Sequence, residues 1–534
     1  MNNTATASSD AIKDVCIVGG GTAGWLSALL LEQRHGVRTN GPEGINVTLV
    51  ESPDRPTVGV GEATVPTMPM LLHECGISEA DFFQECNATF KMGVLFNGWN
   101  VDQHGTPIDF LNPFGPIARI NNVRAAEYYL KFGGYGLDYI QTVTASQDII
   151  TSGKAPRQIE VPEFGNSARY AYHLDAGLFA QFLKKKCLER GIRYIRENVV
   201  GVERSETGDV EFIALENSVK ENVDFVLDCT GFGGEIISKI LGEPFDDYSR
   251  YLANDRAIAL QVPHDDEKKI IPATQASALR NGWSWNVPLN NRIGTGYVYS
   301  SAHVSDEHAG HEFLAHLGRQ HDESKLRVIP IRVGKSRNAW VNNCVAIGLS
   351  GGFIEPLEST AIHMIEQSVR WLSSNWPEKT GSKSLRDHFN ALNNRMYDEV
   401  RDFICLHYAL GNRTDSQYWI DAREQLEIPD SLAANLERWK HRLPIPSDVG
   451  HHSLFSDETY ATVLLGKQSY QNGFGQGESI ASSSLNETDW LTYLRDMRGA
   501  VDEIVRKNPS HKMIIRVLRK EVRPLTNLTP FGAW

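Results

Sequence analysis

No run of about 18 consecutive apolar residues occurs in this 534-residue chain, so no membrane-spanning helix is expected. Basic charge is in deficit. Lys and Arg number 53 against 66 Asp and Glu, giving a formal net charge of −13. Phosphate backbones are bound by clustered Lys and Arg, so this balance argues against a nucleic-acid partner. Cysteine is sparse and scattered, at Cys16, Cys75, Cys86, Cys187, Cys229, Cys344 and Cys405, with no CxxC pair. An odd set without paired spacing reads as reduced thiols, not as a disulfide frame or zinc site. Residues 1–12 lack both a basic start and an apolar stretch, and read as a flexible tail rather than a signal peptide. Together these absences point to a cytoplasmic protein that uses no metal. No internal repeat is present.

What is present is an ordinary globular composition, 41% hydrophobic and 22% charged, in a chain too long for one simple core. Asp14 to Val18 reads as a buried strand, Ala23 to Glu32 as a helix and Ile45 to Glu51 as a second strand, the opening of a doubly wound α/β domain. Met68 to Cys86 holds two short helical patterns broken near Gly76, and Asp175 to Arg190 is amphipathic with Gly191 as its stop. β-patterned segments fill Arg193 to Asp228, and Trp283 to Ser300 reads as strands around an Asn290-Asn291 turn. Ser359 to Trp376 and Ser384 to Leu410 read as long helices, with further helices near Ser431 to Arg442 and Asp489 to Lys507. Asn472 to Ser484 is Gly- and Ser-rich and reads as a mobile loop. The expected division is an α/β module with an added β-sheet over 13–375, then a mainly helical, substrate-side part over 376–534.

Gly19-Gly20-Gly21-Thr22-Ala23-Gly24 fits G-x-G-x-x-G between a strand and a helix. Gly19 permits the tight turn, Gly21 lets backbone approach a pyrophosphate, and Gly24 lets helix and strand pack closely. The helix N-terminus at Thr22 and Ala23 offers free N–H groups to phosphate. Glu51 closes the second strand, where a carboxylate accepts hydrogen bonds from a ribose. The bland alternative is a glycine-rich turn beside a solvated Glu51. Asp228-Cys229-Thr230-Gly231 ends a later apolar strand and is similar to the late FAD-contacting strand of two-dinucleotide-fold flavoproteins. With a single G-x-G-x-x-G in the chain, the expected cofactor is FAD reduced elsewhere, by a partner flavin reductase or as free reduced flavin.

Four segments carry a closer likeness: GGGTAGW over Gly19 to Trp25, GVGEATVP over Gly59 to Pro66, Trp283-Ser284-Trp285-Asn286-Val287-Pro288, and FIEPLEST over Phe353 to Thr360. With them, the chain resembles the flavin-dependent halogenases typified by tryptophan halogenases, from about residue 14 to about 445. The resemblance implies a glutathione-reductase-like FAD domain, with Gly61, Glu62, Ala63 and Gly348 added to the cofactor contacts. It implies that Lys91 and Glu358 are catalytic. In such chemistry reduced flavin, O₂ and a halide yield hypohalous acid. A lysine ammonium can hydrogen-bond that acid, or the neutral amine can form a haloamine, placing the electrophile against one carbon of an aromatic. Glu358 would orient the acid or take the proton lost by the arenium intermediate. On residue type alone, Lys91 reads as a surface charge and Glu358 as a helix N-terminal charge. Ser359, Thr360 and Ala361 are expected to open the helix after Glu358. The N–H groups of Thr360 and Ala361 are the expected chloride or bromide site. The pair Trp283 and Trp285, alternating on one strand face, would keep substrate from the flavin. Pattern alone would make them core aromatics.

The chain also departs from that family. Phe110-Leu111-Asn112-Pro113-Phe114-Gly115 aligns with a substrate-side segment in which tryptophan halogenases carry His at the place of Asn112. Phe114 keeps an aromatic able to sandwich an indole. Family members often carry Gly at the place of Ala361. Leu443 to Lys467 is short and holds one Tyr, Tyr460, and no Trp, where enzymes for free tryptophan have a Tyr- and Trp-rich grip. Asn112, Phe114, Ser359 and Tyr460 are the expected substrate contacts. The expected substrate is indole or a larger electron-rich aromatic rather than free tryptophan. Two other readings remain open from sequence: an aromatic flavin monooxygenase and a non-catalytic flavin-binding protein. Family members often dimerise, so a homodimer is a further option, though no surface in the sequence marks one.

Overall fold

The computed structural model describes residues 10–37, 44–55, 61–115, 118–166, 168–266, 269–318, 322–450, 454–470 and 484–522. Most of the expected tail, residues 59 and 60 of the GVGEATVP segment, and residues 472–483 of the Gly- and Ser-rich stretch lie outside them.

The apolar run Asp14–Val18 forms the centre of a six-stranded sheet, flanked by Asn46–Glu51 and Phe225–Asp228 in parallel register. Arg193–Arg196 extends one side, and Cys344–Ala346 with antiparallel Trp340–Val341 extends the other. Helix Thr22–His35 packs Trp25, Leu26, Leu29 and Leu30 on this sheet and stops at Gly36, whose φ is +69°. Gly19 turns the chain between strand and helix at φ +121°, and a Cβ there would lie 2.2 Å from the Cys229 carbonyl oxygen. That position admits glycine alone.

A second, seven-stranded sheet carries the other half of the core. Its order is Arg327–Pro330, Arg256–Val262, Ile293–Tyr299, Gly282–Pro288, Thr274–Ala278, Gly93–Val101 and Pro107–Pro113, antiparallel except where Thr274–Ala278 meets Gly93–Val101. A small sheet, in which Ala171–Asp175 pairs with Gly61–Ala63 on one side and Thr89–Lys91 on the other, packs against the seven-stranded one through Gly61–Ala63. This small sheet bears Gly61–Ala63 of the GVGEATVP segment and Lys91. Asp175 ends its central strand and accepts a hydrogen bond from Leu178 N, capping helix Ala176–Glu189.

The helical part does not stay beyond residue 376. Helix Glu487–Lys507 packs on helices within 125–151, and helix His511–Leu518 packs on Glu79–Glu85. His511 Nε2 accepts a 3.0 Å hydrogen bond from Phe90 N, so the C-terminal helix braces the strand that carries Lys91. No helix of the described residues is long and apolar enough to cross a membrane, and they hold no group of three or more His, Cys, Asp or Glu placed for a metal ion. All seven Cys are buried as free thiols.

Candidate active site

A cavity of about 1110 Å³ opens over the C-terminal ends of strands Asp14–Val18 and Asn46–Glu51. Gly19, Gly21, Thr22, Ala23, Glu51, Gly61, Glu62, Ala63 and Gly348 all line it. A Cβ on Gly20 would strike Glu51 Oε1 at 2.5 Å, whereas none would meet an atom within 4 Å at Gly21, where the chain lies open for a close ligand. Glu51 is held in place, because its Oε2 accepts from Lys184 Nζ at 3.0 Å and Tyr194 OH at 2.8 Å. The Lys184 ammonium in turn lies 3.7 Å from the Tyr194 ring centre and 5.6 Å from that of Trp25. Removal from water pushes the Glu62 carboxyl up to about 7. A turn shaped only for glycine, an empty approach above Gly21, a helix N-terminus and a fixed carboxylate fit a dinucleotide such as FAD.

Two cofactor expectations change. Asp228 does not line the cavity: its carboxylate accepts from Thr230 N and Oγ1 on one oxygen and from Ile236 N and Ile237 N on the other. It shapes the backbone after its strand, and Cys229, Thr230 and Gly231 face the cavity instead. Gly24, counted with the other motif glycines as a cofactor contact as well as a packing residue, is off the cavity wall and keeps only the packing role, since a Cβ there would fall 1.9 Å from Gly19 O.

Trp283 and Trp285 both line the cavity, with ring centres 6.5 Å apart. Trp283 also meets Trp99 at 6.3 Å between ring centres, and Trp99 meets His407 at 6.1 Å. Trp283 thus connects the cavity wall, through Trp99, to a second, buried cluster.

That cluster holds Lys91 and Glu358. Lys91 is 0% exposed, and its Nζ donates to Thr64 O at 3.0 Å and lies 4.9 Å from the centre of the Phe114 ring. Burial pushes its ammonium down to about 7, with the Glu358 carboxylate pulling the other way. Glu358, 4% exposed, accepts on Oε1 from Asn112 Nδ2 and from His407 Nε2, each at 3.0 Å. Thr64 adjoins Ala63, and Glu358 lies between Leu357 and Ser359. Ala63, Leu357 and Ser359 are all cavity residues, so the cluster sits directly behind the cavity wall. Glu358 closes the short turn Pro356–Glu358, and Ser359 follows at φ +61°. Ser359 thus lies outside the helix it was expected to open, because its left-handed backbone breaks the continuity. Helix Ala361–Ser374 begins two residues later with Thr360 as its N-terminal cap, and both Thr360 and Ala361 line the cavity.

The family model for tryptophan halogenase matches residues 14–476. The chain belongs to the tryptophan halogenase family. It is 35% identical over 475 residues to the tryptophan 6-halogenase SttH of Streptomyces toxytricini, covering 85% of this chain and 88% of that one. It is 34% identical to the tryptophan 7-halogenase RebH of Lentzea aerocolonigenes, covering 82% of this chain and 83% of the other. The crystal structure of a tryptophan halogenase from Shewanella frigidimarina NCIMB 400 superposes with a TM-score of 0.88 at 31% identity, over 96% of this chain and 98% of that one. This chain is accordingly a flavin-dependent halogenating enzyme with a mixed α/β fold.

Within this halogenase, one expected substrate contact is displaced. Tyr460 is buried among Trp439, at 5.1 Å between ring centres, and Phe403, at 4.9 Å. Phe403 stands between it and His407. Tyr460 packs the core rather than facing Lys91. Two buried groups went unread in the sequence. His407 holds Glu358, and Lys467 donates to Asn100 Oδ1 at 2.6 Å while lying over Trp99 and Phe110. Burial drives the Lys467 ammonium down to about 7. A lone His amid Cys405, Leu406, Tyr408 and Leu410 on a predicted helix was the available signal, since a buried imidazole needs a polar partner.

Proposed function

We propose that this halogenase uses Lys91 to hold hypohalous acid against an indole-like aromatic, and that free tryptophan is not its preferred substrate. When bound, reduced FAD supplies the electrons that activate O₂ for oxidation of chloride or bromide. A separate flavin reductase supplies that reduced flavin, in keeping with the single dinucleotide motif. The N–H groups at Thr360 and Ala361 offer the halide a place on the cavity wall.

The observation that carries the reading is the setting of the Lys91 amine. It is closed off from bulk water, donates to Thr64 O directly behind the cavity wall residue Ala63, and faces Phe114 in the Glu358 cluster. An ammonium lowered to about 7 is present in both forms at neutral pH, so it can donate a hydrogen bond to the acid or react with it as an amine. Electrophilic attack leaves a proton on the ring carbon, and a carboxylate must take it. Asn112 and His407 both occupy Glu358 Oε1, which leaves Oε2 as the accepting atom. Asn112 has no titratable proton, so the base role rests on Glu358. The preference against tryptophan is supported by the sparse Leu443 to Lys467 segment and by Tyr460 being spent in the core.

The test incubates the full chain with FAD, a flavin reductase, NADH and bromide or chloride, against indole, tryptophan and a set of phenols, with products weighed by mass spectrometry. Halide-dependent products with indole turning over faster than tryptophan are expected. A halide-independent gain of one oxygen, or a strong preference for tryptophan, would overturn the reading.

A further inference from the structure

FIEPLEST contains two glutamates three residues apart, and the structure gives them different surroundings. Glu355 is buried, and its Oε2 accepts three hydrogen bonds: from Trp283 Nε1 at 2.8 Å, Tyr408 OH at 2.8 Å and Asn254 Nδ2 at 3.0 Å. Tyr418 OH donates to Asn254 Oδ1 at 3.0 Å and fixes that amide in turn. Oε1 of Glu355 is buried with no partner. Removing a carboxyl group from water and leaving one oxygen bare is costly, so a core built for stability alone would favour an apolar residue here.

Trp283 explains the expense. Trp283 lines the large cavity and also meets Trp99, and Trp99 meets His407 of the Lys91–Glu358 cluster. A flat ring in that place separates two compartments only while its plane is held, and its one polar handle is the N–H. Tyr408 follows His407 on helix Lys383–Ala409, so a single helical turn holds Glu358 by one residue and Glu355 by the next.

We propose that Glu355 is a positioning residue that locks the Trp283 indole as the partition between the cavity and the Lys91–Glu358 cluster. The proposal rests on the reading given under Proposed function. Through this lock, oxidised halide reaches Lys91 instead of escaping around a loosened ring. Glu355 touches neither Lys91 nor the cavity surface, which distinguishes its role from that of Glu358.

The test compares Glu355→Leu, Glu355→Gln and Trp283→Phe in the full chain, with two readouts. The first uses protein labelled with 5-fluorotryptophan and free of FAD. The Trp283 fluorine resonance, assigned by its loss in Trp283→Phe, is expected to shift or broaden in Glu355→Leu and to stay near its original place in Glu355→Gln, which keeps an acceptor oxygen. The second uses FAD, a flavin reductase, NADH, bromide and indole, and measures bromoindole against hypobromous acid trapped in solution by monochlorodimedone. Glu355→Leu and Trp283→Phe are each expected to lower the ratio of product to trapped acid by about fivefold or more, as loss of one buried hydrogen bond permits. Glu355→Gln should restore most of it. An unmoved Trp283 resonance with an unchanged ratio in Glu355→Leu overturns the proposal. If Glu355→Leu does not fold, an unchanged ratio in Trp283→Phe overturns it equally. If the unaltered protein halogenates nothing, the functional reading fails, and the fluorine resonance alone still decides whether Glu355 positions Trp283.

Discussion

His407 Nε2 donates to Glu358 Oε1 across 3.0 Å, and both side chains are buried. His407 is stacked on Phe96 at 4.5 Å between ring centres, and Phe96 on Phe110 at 4.8 Å, so the imidazole is fixed in plane. Burial lowers the imidazole below its ordinary range, against the pull of Glu358. The neutral ring therefore serves Glu358 as a donor without cancelling its charge. His407→Phe keeps the stack and removes the donor. Halogenation of indole is expected to fall about 10- to 100-fold, the worth of one hydrogen bond to a charged group. FAD affinity, followed by fluorescence titration, should hold.

Lys91→Met removes the amine while filling much the same buried space. Halogenation is expected to fall by more than about 100-fold, as for loss of a positioned catalytic group. FAD affinity should be retained, because the amine lies behind the cavity wall rather than on it. Normal FAD binding with near-normal halogenation in this variant would remove Lys91 from the chemistry.

Much of this was legible in the sequence, and the failures have definite causes. The Gly19 to Gly24 turn, the strands beside it and the helix after it follow from patterning that local structure alone enforces. Lys91 and Glu358 were singled out by motif alone, since neither a three-residue strand nor a short turn has a periodicity to read. Asp228 was misplaced because an acid at a strand end serves equally to reach a ligand or to cap the following backbone, and four N–H and O–H donors claim it here. Tyr460 sits among Ala461, Val463 and Leu464 on a buried helix, a pattern that describes core as readily as substrate pocket. Ser359 was drawn into the helix because its left-handed φ leaves no mark in residue type. His407 and Lys467 gain their meaning from residues more than 300 positions away in one case and 49 in the other, distances no local pattern spans.

Lys467 gives a test of stability against pH. Its ammonium titrates at about 7 in the folded chain and near 10.4 when unfolded. Between those values the unfolded state binds more protons, so stability rises with pH across that window and the full penalty applies below about 7. Lys467→Met removes the penalty at the cost of the hydrogen bond to Asn100. Thermal unfolding should show its largest gain in Tm over the unaltered chain at or below pH 7, shrinking toward pH 10. A gain that grows with pH would contradict the burial argument.

Glu51 is oriented by Lys184 and Tyr194 before any ligand arrives, so its contribution to binding carries little ordering cost. Glu51→Ala should weaken FAD binding by about 10-fold, near 1.4 kcal/mol, without altering the ratio of halogenated product to NADH consumed once FAD is saturating. Titration of FAD fluorescence gives the first quantity and product analysis the second.

Ala361 places a methyl group at the first residue of helix Ala361–Ser374, on the cavity wall where the first N–H groups of a helix have no partner within it. A methyl group beside an anion site crowds bromide more than the smaller chloride. Ala361→Gly should therefore lower the KM for bromide relative to chloride by about fivefold, roughly the worth of one methylene's shape in a pocket. Glycine costs little at a helix terminus, so folding should survive the change. Initial rates at varied bromide and chloride, with indole and FAD saturating, give the two KM values. An unchanged ratio would place the halide away from Thr360 and Ala361 and leave the helix end with a purely structural task.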